Sequence, residues 1–394
     1  VTEVIVRTRL NPAERVAAAV TLEPGIGGMG AAKVGSGVGA NVRDGHTPKV
    51  VLVTGASRFF GGNVVARLAA DPAVERIIAV DARMPDRALL RRMGRAEFVR
   101  ADIRNPLIRK VFDGNEVDTV VHPAVLSRPP SGGGRAVMKD FNVLGTMQLL
   151  AVCQKSPSVR RVVVRSSSAV YGCSAKDPAK FTEEMSARTP PRGWFARDMI
   201  EVEGFVRGLA RRRPDIAAAI LRFPPIVGPR LAHRGVQYFR SPVTPTILGR
   251  DPRIQLLHEE DAIAALTHAA LAAPGGTFNV AGDGALVLSQ AVRRAGRVEL
   301  PVPFTLFRTV GRSFMGPVMR EFTNEQIDYF HFGCGLDTTR MRAELGYQPR
   351  WTTVQAFDDF VGGAALRPVI DPRWIDAAET RLLGLVGAGA GAHR

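Results

Sequence analysis

From Lys49 onward the apolar positions come in short β-branched runs separated by stretches of helical period. The runs are VVLVT at 50–54, RIIAV at 76–80, TVV at 119–121, VRRVVVR at 159–165 and, further on, IAAAILRF at 216–223. Helical spacing falls between them at Gly61 to Ala70 and Arg135 to Lys155, and again at about Phe195 to Arg213. Apolar runs alternating with helices predict an α/β fold with a doubly wound parallel sheet, Rossmann-like, whose strands are buried on both faces. Beyond Phe223 the rhythm loosens into proline-rich connections and shorter helices, as expected where a smaller C-terminal substrate lobe grows from the carboxyl ends of the strands.

This pattern divides the chain. Residues 1–47 are expected to form a flexible extension, with a short helix around Asn11 to Val20 and seven glycines between Gly25 and Gly39. No hydrophobic strand precedes those glycines, so they are not a phosphate loop. Residues 48–223 form the expected dinucleotide-binding domain, with returning segments at about 255–285. Residues 224–254 and 286–366 form the substrate lobe, and 367–394 a tail.

Composition narrows the function classes. The 394 residues are 45% hydrophobic, enough for a large core. No apolar run approaches the ~18 residues needed to span a bilayer, and the first thirty residues lack a leader-like pattern, so a cytoplasmic protein without membrane contact is expected. Cys153, Cys173 and Cys334 are far apart and odd in number, which leaves neither a disulfide framework nor a metal site. The formal charge of +16 suits an anionic ligand, while the scatter of the arginines along the chain disfavours nucleic acid as a partner.

The candidate chemistry begins after the first sheet strand. TGASRFFGG, Thr54 to Gly62, places a turn between strand and helix whose N–H groups can hold a pyrophosphate. Twenty residues past Gly61, Asp81 ends the second strand, where a carboxylate accepts from ribose hydroxyls and repels a 2′-phosphate. NAD is therefore the expected cofactor, in preference to NADP. Asp102 and Ile103 follow the third strand.

Together with RADIR at 100–104, VDTVVHPAV at 117–125, NVLGTMQLL at 142–150 and SSSAVYG at 166–172, these features resemble the NAD-dependent epimerase/dehydratase family, the extended short-chain dehydrogenases. Within it the chain looks most similar to UDP-glucose (UDP-galactose) 4-epimerase-like members. LRFPPIVGP at 221–229, LLHEEDA at 256–262, GTFNVAG at 276–282 and DTTRMRAELGYQP at 337–349 extend the likeness to about Leu366. The resemblance implies NAD contacts from Gly55, Ser57, Arg58, Phe59, Phe60, Gly61, Asp81, Asp102, Ile103, His122, Ala124, Asn142 and Ser166. It also implies a nucleotide-sugar or similar anionic substrate, a homodimer, and substrate contact from Ser167.

Three departures stand out. The middle glycine of the GxxGxxG turn is Arg58, whose stem obstructs backbone approach to the phosphates unless it swings aside to pair with the pyrophosphate or contacts a 2′-phosphate against the preference of Asp81; its plain structural alternative is a solvated surface arginine. The expected catalytic tyrosine is Phe195, and the expected lysine one helical turn on is Met199. Phe has no proton to transfer, and Met has no charge to depress a neighbouring pKa. Pro225 stands where the family has asparagine, although Arg222 is kept. Tyr171, His122 and Asp198 are the nearest substitutes. Each has a plain structural alternative: packing for Tyr171, a satisfied core histidine for His122, a solvent-facing carboxylate for Asp198. His258, Asp261 and Tyr347 read as structural. Two outcomes follow, altered redox chemistry with a substitute base or a non-catalytic protein with a binding, regulatory or interaction role.

Overall fold

The computed structural model describes residues 6–8, 47–130, 133–231, 238–239, 241–315, 322–364 and 366. The helix expected around Asn11 to Val20, the glycine-rich stretch and the tail beyond 366 lie outside the described residues.

A central sheet carries the fold. Its strands are β1 (Val6–Thr8), β2 (Val50–Thr54), β3 (Arg76–Asp81), β4 (Glu97–Arg100), β5 (Thr119–His122), β6 (Arg161–Ser167), β7 (Ala217–Phe223) and a late strand, Gly276–Asn279, in the order β1-β4-β3-β2-β5-β6-β7-late strand. All but β1 are parallel. The doubly wound expectation is borne out, and the order reverses between β2 and β5, the topological switch point where such sheets bind ligands. Val6–Thr8, inside the stretch expected as an extension, pairs antiparallel with β4 at the sheet edge.

Strand periodicity sorts the core into two layers. Val51, Val53, Ile77, Ala79, Val121, Val163 and Leu221 pack on one face, with helix α1 (Phe59–Ala69) and a later helix, Glu259–Ala272. Leu52, Ile78, Val80, Val120, Val162, Val164 and Ile220 pack on the other, with Gly145–Lys155 and Trp194–Arg212. The helical run expected from Arg135 to Lys155 is split: Gly134–Lys139, a π-helical turn at Asp140–Leu144, then Gly145–Lys155.

Glu259–Ala272 returns the chain to the sheet. It is anchored at its carboxyl end by the buried Arg161, whose guanidinium donates to the carbonyls of Ala270, Leu271 and Ala273. A cation there meets both the free carbonyls and the negative end of the helix dipole. A separate apolar cluster, including Phe239, Ile254, Leu286, Phe307, Phe330 and Phe357, forms the core of the second lobe. There Val243–Ile247 pairs in parallel with Val298–Val302.

Candidate cofactor and substrate cleft

The turn after β2 is shaped by close approach. Gly55 has φ +64, and a Cβ there would stand 2.5 Å from the Cβ of Ala124. A Cβ on Gly61 would fall 2.1 Å from the Gly55 carbonyl oxygen, so the helix start can seat against the strand end only if that residue is glycine. Asp81 is tied into the same unit: its carboxylate accepts from the N–H groups of Ser57 (3.1 Å) and Arg83 (3.2 Å).

A cleft of about 750 Å³ opens above the switch point, between the sheet and the second lobe. Arg58, Phe59, Phe60, Gly61, Ala124, Ser166, Ser167 and Phe195 line it, so the glycine turn and the expected reaction site share one cavity. The far wall is apolar, with Ile254, Leu256, Phe304 and Phe330, and is joined by Tyr329 and His331.

Other residues expected around the cofactor stand further back. His122 is fully buried between Thr54 Oγ1 (2.6 Å to Nδ1) and Thr146 Oγ1 (2.9 Å to Nε2). Thr146 donates its hydroxyl to the Asn142 carbonyl, so it accepts from His122 Nε2–H, and Nδ1 accepts from Thr54. Burial lowers the imidazole pKa to about 4. His122 is thus a neutral, satisfied core histidine. Asn142 is also fully buried. It bonds both backbone polar groups of Leu126 (2.7 and 2.8 Å) and the carboxylate of Asp198 (3.0 Å), holding the loop after β5 from behind. Asp102 is bonded to Arg104. Burial works to raise the Asp102 pKa, but the Arg104 hydrogen bonds and charge bring it below the ordinary value. Ile103 is buried next to Gly145.

The reaction end is settled by a buried network. Glu203 accepts two hydrogen bonds from Arg222 (2.9 and 2.7 Å) and one from Ser166 Oγ (2.7 Å). Arg222 also donates to the hydroxyl of Tyr171 (2.6 Å), which in turn donates to Asn279 Oδ1 (2.8 Å) and stacks on Phe181. Burial is the main cause that raises the Tyr171 pKa to about 12. Tyr171 is therefore a packed structural phenol. Ser167 caps the short turn after β6, accepting from the Ala169 N–H at 3.2 Å while facing the cleft.

Phe195 faces the cleft, whereas Met199 is fully buried in the layer that holds Tyr171 and Val202. Asp198 corrects the sequence reading. It does not face solvent but is fully buried, gripped in a two-pronged pair by Arg135 (2.8 and 2.5 Å). The buried His258 bonds Asp359 and stacks on Trp351, while Asp261 accepts from the Arg350 and Trp351 N–H groups and from Tyr347.

A residue that sequence reasoning passed over is Arg165. On β6 it shares the face of Val163, and its guanidinium lies 4.3 Å from the centroid of the Phe60 ring, lining the cleft. The available signal was an arginine closing a run of valines that reads as a doubly buried strand.

A sequence model of the NAD dependent epimerase/dehydratase family matches residues 51–281. The chain belongs to that family. The uncharacterized protein Rv0501 of Mycobacterium tuberculosis (strain H37Rv) is 54% identical over 338 residues, covering 86% of this chain and 90% of that one. Among solved structures of the same fold, the UDP-glucose 4-epimerase of Thermotoga maritima with UDP-glucose superposes with TM-score 0.60 at 17% identity, over 80% of this chain and 98% of that one. The dTDP-glucose 4,6-dehydratase of Bacillus anthracis in complex with NAD gives TM-score 0.61 at 19% identity, over 80% and 96%. Among the described residues, no helix is long and apolar enough to cross a membrane, and no cluster of three or more His, Cys, Asp or Glu side chains could hold a metal.

Proposed function

We propose that this family member holds NAD at the switch point and receives a nucleotide-sugar or similar anionic ligand in the adjoining cleft, without the tyrosine–lysine proton transfer that the family resemblance implies. The observation that carries this reading is Phe195 in the cleft wall with Met199 sealed in the core, below a glycine turn that keeps its close packing.

The residues fit the cofactor. The Gly55 to Gly61 turn presents N–H groups to a pyrophosphate, and Asp81, fixed by Ser57, offers acceptors to a ribose and repels a 2′-phosphate. NAD is therefore preferred over NADP. Bound there, NAD supplies a hydride acceptor. Ser167 can donate a hydrogen bond to a substrate oxygen, but Phe195 moves no proton and Met199 holds no charge. General acid/base catalysis typically contributes ~10² to 10⁴ in rate, so turnover by the family's route falls by about that factor. A binding or regulatory role with NAD as a structural ligand is the form this reading takes at zero turnover. The exposed Leu144, Met147, Trp194 and Ile200, on the helices that cover one sheet face, suit a homodimer built like those of the family.

The test is mass spectrometry of small molecules released from the purified full chain, followed by addition of UDP-glucose and NAD. Co-purifying or added NAD that binds, with UDP-glucose recovered unconverted, is expected. Conversion of UDP-glucose to another UDP-sugar at a rate typical of the family would overturn the non-catalytic form, and absence of any NAD binding would overturn the reading itself.

A further inference from the structure

We infer that Arg58 and Arg165 form a two-guanidinium clamp for the diphosphate of the dinucleotide, in place of the backbone contact that the glycine expected at position 58 would permit. The inference rests on the NAD reading above and adds to it how this chain grips the cofactor.

The two arginines come from opposite sides of the switch point. Arg58 precedes helix α1 in extended conformation (φ −100, ψ 161), makes no side-chain cap, and lies with its guanidinium 4.5 Å from the centroid of Phe141. Arg165 reaches from β6 past the end of β5, where Nη1 donates to the Pro123 carbonyl at 3.4 Å, and lies over Phe60 in the first turn of α1. Both line the cleft beside Gly61 and Ala124.

Both guanidinium groups hold an unmet donor. The Nε atoms of Arg58 and Arg165 are buried and have no hydrogen-bond partner. A buried donor without an acceptor is disfavoured, and the two arginines that carry these donors both line one cavity, which suits a ligand rich in acceptor oxygens. Each guanidinium sits over an aromatic ring, a contact that uses its face and not its N–H donors, and guanidinium donors can bind phosphate bidentately. Burial lowers the pKa of both guanidinium groups, that of Arg165 to about 10, so the clamp bears two partly desolvated cations. A diphosphate dianion relieves that strain.

Position 58 explains why a substitute grip is needed. In the family's turn a glycine there leaves the phosphates free to approach the backbone, whereas an arginine stem stands in the way. Charge at longer reach then adds to the amide contacts that the rest of the turn still offers.

The clamp and a simple steric defect make opposite predictions for Arg58→Gly, which restores the glycine. The full chain would be titrated with NADH by fluorescence, and with UDP and adenosine by calorimetry, for wild type, Arg58→Gly, Arg165→Met and Arg165→Lys, with circular dichroism to confirm folding. Expected are a loss of about tenfold or more in NADH affinity for both Arg58→Gly and Arg165→Met, and partial recovery in Arg165→Lys, which keeps charge but not the planar fork. A steep weakening of wild-type binding with salt, and adenosine binding unchanged throughout, are also expected. Tighter NADH binding by Arg58→Gly, equal binding by Arg165→Met, or a loss confined to UDP would overturn the clamp. A wild-type chain that binds no NADH would instead refute the cofactor reading beneath it. Should Arg165→Met fail to fold, Arg58→Gly and Arg165→Lys carry the test.

Discussion

The backbone N–H of Ser57 donates to the carboxylate of Asp81 at 3.1 Å, joining the glycine turn to the end of the neighbouring strand. The side chain expected to select the ribose is thereby also the one that fixes the turn. Asp81→Ala should weaken NAD binding by about tenfold or more, the scale of a charge-assisted hydrogen bond, and narrow the discrimination against NADP. Calorimetric titration with both dinucleotides checks this. Unchanged affinity and selectivity would remove Asp81 from the site.

Gly61→Ala places a methyl group 2.1 Å from the Gly55 carbonyl oxygen, where backbone must shift. A loss on the order of 1 to 3 kcal/mol in stability, together with lost NAD binding, is expected. Gly204→Ala is the control. Gly204 sits inside a long helix with nothing within 4 Å of the added Cβ, and the change should stabilise by about 0.4 to 1 kcal/mol. Thermal denaturation of the two variants should move in opposite directions.

Glu203 and Arg222 form a buried pair with two charge-assisted bonds along the Nε–Nη2 edge of the guanidinium. Glu203→Ala leaves the Arg222 cation buried and unpaired, at a cost of about 3 to 5 kcal/mol. Denaturant melts should show it as a lowered midpoint. A change below about 1 kcal/mol would mean that Arg222 finds another anion or solvent.

The buried His122 has a pKa of about 4 against an ordinary value of 6.5. Between those values the unfolded chain binds a proton that the folded chain refuses, so stability falls as the pH drops through that window and is unaffected above it. The loss is on the order of 3 kcal/mol. Glu203, whose pKa burial tends to raise but Arg222, Ser166 and Arg207 bring below the ordinary value, adds an acid-induced loss in the carboxylate range. The His122→Gln variant isolates the histidine: its stability should lack the decline between about pH 6.5 and 4.

Phe195→Tyr and Met199→Lys differ in what they ask of the fold. Phe195 faces the cleft and accepts a hydroxyl, whereas Met199 is fully buried, so a lysine there carries its charge into an apolar layer. Phe195→Tyr should change stability by less than about 1 kcal/mol and Met199→Lys should lower it by more. Oxidoreductase activity gained by the double variant would place both residues at the family's catalytic positions.

The parallel sheet was legible because strands buried on both faces need unbroken apolar runs, as in Val50–Thr54, and glycine was required where backbone touches backbone at Gly61. What escaped depends on partners distant in sequence. Asp198 is buried with its charge met by Arg135, 63 residues earlier. His122 is satisfied by Thr54 and Thr146, and Asn142 turns to Leu126 and Asp198; none of these pairings leaves a periodic trace. Arg165 was readable as a strand residue, but its stacking on Phe60 depends on the packing of β6 beside the start of α1.

The most direct measurement is titration of the full-length protein with NAD by calorimetry, alongside the Asp81→Ala variant. Saturable one-to-one binding that the variant weakens is expected. No heat and no saturation with NAD or NADH at millimolar concentration, from a folded chain, would contradict the assignment of the cleft as a dinucleotide site.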